Sequence, residues 1–295
     1  MTDKLYLFYD IAVVVTLVIC FYVGAKRGLM KSLVFTALTI GAFVASWIVA
    51  EIGAPIVYNN FLKEKVISTV SYSMKGVDSS QVASNIVAKG NFGVELSKEE
   101  IDEIIVSYDD IFEGIAGTLR KNGSQASENE IIEGVEDLAA PEIVNILFGG
   151  KLNYAHIQSS LDALGFGDEN VFGVIDTFLR GSNESVSESA EENLIAPIAI
   201  WIIKILIMVI LFFILKLIIK PVSNLFKAVN KIPIIGPINA LLGGVLNCAI
   251  SLLVIYIVAL LIKVIINITS NSLIFINNDT IQLTTVFKYI YNFSL

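Results

Sequence analysis

Apolar residues fill long, nearly uncharged runs towards both ends of the chain and fall into helical spacing in the middle. Residues 32–50, SLVFTALTIGAFVASWIVA, contain no charge, and about 20 such residues cross a hydrocarbon core of ~30 Å. Residues 5–23 match that length with Asp10 as the one charge. Residues 194–219 form a longer run that carries Lys204 and Lys216, and residues 241–262 form another. The pattern predicts an all-α membrane protein with four transmembrane helices. The first run reads as an uncleaved span, because its positive residues follow it and no small-residue cleavage site closes it.

The middle of the chain, residues 56–193, predicts a helical extracytoplasmic domain inserted between helices 2 and 3. SKEE at 97–100 has the form of a capping box, in which a Ser oxygen bonds forward and a Glu reaches back. Ile101, Ile104, Ile105, Tyr108, Ile111, Phe112 and Ile115 follow at helical spacing. SENE at 127–130 opens a second helix, expected to reach Leu138 and stop before Pro141. DENVFGVIDTFLRG, closed by Gly181, suggests a third, and GSNESVSESAEEN reads as a polar linker back to the membrane. A helical domain of roughly 120 residues is large enough to hold a core.

Charge gives these segments an orientation. The turn GAKRGLMK between the first two spans holds Lys26, Arg27 and Lys31, and the connection between the last two holds Lys216, Lys220, Lys227 and Lys231, without an acid in either. The positive-inside bias puts both turns in the cytoplasm. Both termini and the insert then lie outside. The expected organisation is a hairpin over 1–55, the acidic insert over 56–193, a second hairpin over 194–266 with a cytoplasmic basic loop at 220–240, and an extracytoplasmic tail over 267–295. The formal charge of −8 averages two unlike parts. Residues 56–192 have 24 acids against 9 bases, a net of −15, and the rest has 4 against 11, a net of +7. So acidic an insert argues against nucleic acid or anionic lipid as its ligand. Cys20 and Cys248 lie in apolar runs and read as small buried residues.

KIPIIGPINALLGG, residues 231–244, precedes the fourth span. Pro221 is expected to end the third span, since proline lacks the N–H that continues a helix. VSNLFKAVNK then lies along the inner membrane face, and IPIIGP makes a rigid elbow. Asn239 can cap the first turn of the fourth helix or bond a neighbouring helix. Small residues four apart let helices approach closely in lipid. Gly24 and Gly28, Ala37 with Gly41 and Ala45, Ala42 with Ser46 and Ala50, and Ala240 with Gly244 are so spaced. Among charges within spans, Asp10 lies about 7 Å and Lys204 about 12 Å from the outer ends at ~1.5 Å per residue. Those depths allow an intramembrane ion pair; the alternative is that each reaches the interface alone.

The insert shows no catalytic constellation. His156 is the only histidine and has no Cys or His neighbour, so a zinc pattern is missing. GFGDENVFG lacks the preceding strand and closing Gly-Lys-Ser/Thr of a phosphate loop and reads as a turn. Acid clusters such as Asp109–Asp110 read as solvated helix faces. No cofactor, metal or catalytic residue is expected, and the chain is read as a non-enzyme.

With Asp10 at the head of span one, GAKRG at 24–28, IPIIGPINALLGG at 232–244 and the terminal TTVFKYIYNF in view, the chain resembles the colicin V production protein family. The residues that carry the resemblance are Asp10, Gly24, Arg27, Gly28, Pro233, Gly236, Asn239, Gly243 and Gly244. The long insert departs from the short loop of typical members. The resemblance implies a multi-pass bacterial inner-membrane protein serving as a non-enzymatic accessory or scaffold in toxin production, export or envelope maintenance. The expected partners are the lipid bilayer, a membrane or secreted protein, and further copies of the chain. The competing expectation is a small oligomeric channel or transporter.

Overall fold

The computed structural model describes residues 5–167, 169–225, 236–269, 271 and 273–293. Helices α1 (Leu5–Arg27), α2 (Leu29–Phe61), α11 (Ala196–Leu225) and α12 (Gly236–Ile268) are the four long apolar ones. Between α2 and α11 lie α3 (Lys63–Ser73), α4 (Ser79–Gly90), α5 (Lys98–Ser107), α6 (Ile111–Lys121), α7 (Glu128–Leu147), α8 (Tyr154–Ala163), α9 (Glu169–Arg180), α10 (Asn183–Ala190) and a π-helical turn, Glu191–Ile195. Two short helices, α13 (Asn278–Gln282) and α14 (Phe287–Tyr291), follow α12. No strand occurs among the described residues. Four helices are long and apolar enough to cross a membrane, and the chain is an all-α membrane protein.

The chain forms two compact units, one of Met1–Ile56 with Trp201–Leu295 and one of Val57–Ile200. In the first, α12 is the central helix, with 50% of its apolar window buried against 11% for α1. One cluster joins Ala42 and Ala50 of α2, Met208 and Phe212 of α11, and Ile257 and Leu260 of α12. A second joins Val13 of α1 to Ile255 and Ala259 of α12 and to Ile281, Phe287 and Tyr291. The residues beyond α12 thus pack into this unit rather than forming a free tail. Of the small stripes on α2, Ala42, Ser46 and Ala50 face the cluster, whereas Gly41 has no heavy atom within 4 Å of where a Cβ would stand. Ser46 donates to the Ala42 carbonyl at 2.7 Å and Thr39 to Phe35 at 2.8 Å, so hydroxyls in the span satisfy themselves on their own helix.

The second unit has a core of its own, with Ile86, Leu96, Ile101, Ile115, Ile131, Ile143, Leu147 and Phe178 all 2% exposed or less. Capping boxes open α5 at Ser97–Glu100 and α7 at Ser127–Glu130, as their sequences predict. The other boundaries differ in instructive ways. The apolar run beginning at Ile101 forms two helices, because Asp110 accepts from the Phe112 and Glu113 amides and starts α6. Arg180 of α9 holds the break, donating to the Ile105, Tyr108 and Asp109 carbonyls at 2.8 Å. Pro141 does not stop α7. It sits on the exposed face, where water can take the carbonyl its missing N–H leaves unpaired, while Ala140, Ile143, Val144 and Leu147 are buried. GSNESVSESAEEN is not a linker: Ser182 caps α10, and Val186, Ser187, Ala190 and Glu191 are buried. The Glu191 carboxylate is paired with Lys63 at 3.3 Å. Pro221 does not end the third span either, since α11 runs on to Leu225.

Candidate functional site

The residues singled out around 24–28 and 239–244 meet at one crossing of α1 and α12. A Cβ on Gly24 would lie 2.3 Å from the Gly243 carbonyl oxygen and 2.5 Å from Asn247 Cβ. A Cβ on Gly243 would lie 2.6 Å from the Gly24 carbonyl oxygen, and one on Gly244 would strike the Phe21 ring at 2.6 Å. The Gly24–Gly243 contact is backbone against backbone, closer than any side chain permits. Gly28 ends α1 at φ +76°, a conformation glycine enters without a Cβ clash. Leu29 then starts α2 with an orphan N–H, and Asn239 Oδ1 accepts it at 2.6 Å. Of the two roles open to Asn239, the bond to a neighbouring helix is the one formed. One asparagine thereby caps α2 from α12.

A second asparagine, Asn247, completes the contact. Its Nδ2 donates to the Cys20 carbonyl at 2.6 Å, and its Oδ1 accepts from Arg27 Nη1 at 3.5 Å. The Arg27 guanidinium lies 4.7 Å from the centre of the Phe35 ring. Cys20 and Cys248 are free thiols, and Cys248 Sγ donates to the Leu17 carbonyl at 3.5 Å. Sequence reasoning missed Asn247 and Phe21; the available signal was an amide one helical turn past Gly243, inside an otherwise apolar run. Gly236 has nothing within 4 Å of a Cβ position and takes no part in the crossing. Pro233, and the elbow up to residue 235, lie outside the described residues.

Asp10 and Lys204 do not pair. The Asp10 carboxylate accepts three backbone amides ahead of α14, from Thr285 at 2.7 Å, Val286 at 2.9 Å and Phe287 at 3.0 Å. Lys204 instead forms an ion pair with Glu51 of α2 and sits 4.3 Å from the centre of the Trp47 ring. Each charge has found a partner nearer in the packing: α14 folds back onto the head of α1, and α2 lies beside α11. Glu51 escaped notice because it stands one residue past an uncharged run.

The insert's acids do line a cleft of about 300 Å³, bounded by Glu133, Glu136, Asp137, Tyr154, Gln158 and Phe172. Among the described residues no group of three or more His, Cys, Asp or Glu side chains is placed to hold a metal ion. What the α1–α12 crossing does chemically is fix two helices at backbone contact and tie the α1–α2 turn to the start of α12. No protein-family model, curated protein or solved structure matches the chain.

Proposed function

We propose that the chain is a non-enzymatic membrane scaffold of the colicin V production type, whose acidic helical unit engages a membrane or secreted protein. The observation that carries this reading is the α1–α12 crossing. Four of the nine residues behind the resemblance, Gly24, Gly28, Asn239 and Gly243, lie in contact there, Gly244 packs beside them on Phe21, and Arg27 joins them through Asn247. Their roles are packing and capping, which suits a scaffold. The basic turns at Lys26, Arg27 and Lys31 and at Lys216 and Lys220 face the cytoplasm in this reading. Both termini and the insert over 56–193 then lie on the opposite side of a bacterial inner membrane.

Photocrosslinking in cells tests it. A crosslinker at Val106, 86% exposed in the helical unit, is expected to give discrete adducts with a membrane or secreted protein. Labelling of single cysteines at exposed positions is expected to reach Lys121→Cys from outside intact cells and Lys26→Cys only after permeabilisation. An adduct pattern equal to the uncrosslinked control, or the reverse labelling, overturns the reading. Ion conductance of reconstituted liposomes above that of empty ones would favour a channel instead.

A further inference from the structure

We propose that residues 273–293 form a cap seated in the headgroup boundary of the bilayer that the four long helices cross. One face of this segment is held by protein. Ile281 at 0%, Phe287 at 3% and Tyr291 at 7% exposure pack against Val13, Ile255 and Ala259. Asp10 takes the three amides ahead of α14, Tyr9 donates its hydroxyl to the Phe275 carbonyl at 2.5 Å, and the Tyr9 ring stacks on Phe287 with centroids 5.1 Å apart. The exposed side chains are amphipathic: Ile274 and Phe275 at 64%, Leu283 at 66% and Tyr289 at 72% exposure stand with the polar Asn278, Asp279, Gln282 and Asn292, and Phe8 of α1 in the same unit is 73% exposed.

The level of the segment follows from the helix it is tied to. Arg27 and Asp10 stand at positions 27 and 10 of one continuous helix, a rise of about 26 Å at ~1.5 Å per residue. With Arg27 at one boundary of a ~30 Å hydrocarbon core, Asp10 reaches the other. The cap is bonded to Asp10 and follows the end of α12, so its open face is continuous with the lipid-facing surfaces of two spanning helices. Aromatic and aliphatic side chains with a lysine among them suit that boundary. Lys288 lies 5.5 Å from the Tyr289 ring centre, and Lys263 5.2 Å from that of Tyr291. Lipid is the occupant this geometry fits.

Spin labels test it in the full chain, carrying Cys20→Ala and Cys248→Ala and reconstituted into phosphatidylcholine–phosphatidylglycerol vesicles. Labels at Phe275→Cys and Tyr289→Cys are compared with one at Lys121→Cys in the helical unit. The expected ratio of collisions with oxygen, which concentrates in lipid, to those with a water-soluble nickel chelate is on the order of tenfold higher at 275 and 289 than at 121. Chelate collisions matching those at 121 would show a water-facing cap and overturn the proposal. Collisions with neither reagent would show the face covered by protein and overturn it too. The unsubstituted chain gives a second measurement. A phospholipid with a diazirine near the glycerol end of its acyl chain is expected to label peptides from 273–293, and no label there contradicts the cap.

Discussion

At the scale of single residues, the same substitution has opposite consequences at two glycines of the first unit. Gly24→Ala places a methyl group 2.3 Å from a backbone oxygen of α12, which no rotamer change relieves. The helices must separate, with the Asn239 and Asn247 bonds at risk, at a cost of about 1–3 kcal/mol. Gly41→Ala meets open space and removes a helix-weakening glycine, a gain of up to about 1 kcal/mol. Reversible unfolding in mixed detergent micelles is expected to show Gly24→Ala shifted to lower SDS fraction and Gly41→Ala unchanged or shifted higher. Equal shifts for both would deny that the crossing holds the unit together. This contrast marks the limit of what was legible in the sequence. Spacing by four identifies both glycines, because the spacing sets which residues share a helix face. It does not say which face another helix will meet. Asp10 shows the same limit, since depth in the bilayer allowed Lys204 as a partner and chain return brought α14 instead.

At the scale of elements, the starts at Ser97 and Ser127 and the end before Gly181 were legible, while the starts at Asp110 and Ser182 and the continuation through Pro141 and Pro221 were not. A start is written locally: Ser97 and Ser127 each precede a glutamate by three positions, and both capping boxes form. An end depends on what the flank packs against, so α7 continues through Pro141, and the serine-rich stretch at 182–193 becomes helical around buried Val186 and Ala190. The capping glutamates also make a pH prediction. The Ser97 amide, then the Asn122 side chain, hold the Glu100 carboxyl below its ordinary value, and the Ser127 amide and hydroxyl do the same for Glu130. A carboxyl depressed by folding binds fewer protons in the folded state, so its stabilisation is present above the unfolded value and lost as pH falls through the folded one. Thermal unfolding of the helical unit is expected to change little in this respect between pH 6 and 8 and to weaken once the pH drops below the usual carboxylate range near 4.3. Glu100→Gln with Glu130→Gln is expected to remove part of that acid sensitivity; an unchanged slope below that range would show that the caps do not carry it.

At the scale of the whole molecule, two units of one chain answer to different solvents. In the first unit the helices have no water to escape once they lie in lipid, so association rests on backbone contact at Gly24 and Gly243, on amide bonds from Asn239 and Asn247, and on packing around α12. Val57–Ile200 shows the other regime. It carries most of the chain's acids and, among its described residues, a core of thirty buried apolar ones, the arrangement that burial from water produces. Among its described residues the one deeply buried carboxylate, Glu191, has Lys63 within the same unit, and Tyr58, 1% exposed, belongs to it as well. Among the described residues no buried charge in it needs a partner from outside 57–200. The fragment Val57–Ile200 is therefore expected to be soluble without detergent and to unfold in a single cooperative transition, with a stability in the usual range of about 5–15 kcal/mol. Coincident melting curves from helical circular dichroism and from tyrosine fluorescence would meet that expectation. A broad, non-coincident transition with strong binding of a hydrophobic dye would show that the core is completed only in the intact chain. In that event the cost of losing Lys63 becomes the sharper measurement, because Lys63→Met would then leave the Glu191 carboxylate buried without a cation in a unit that has little stability to spare.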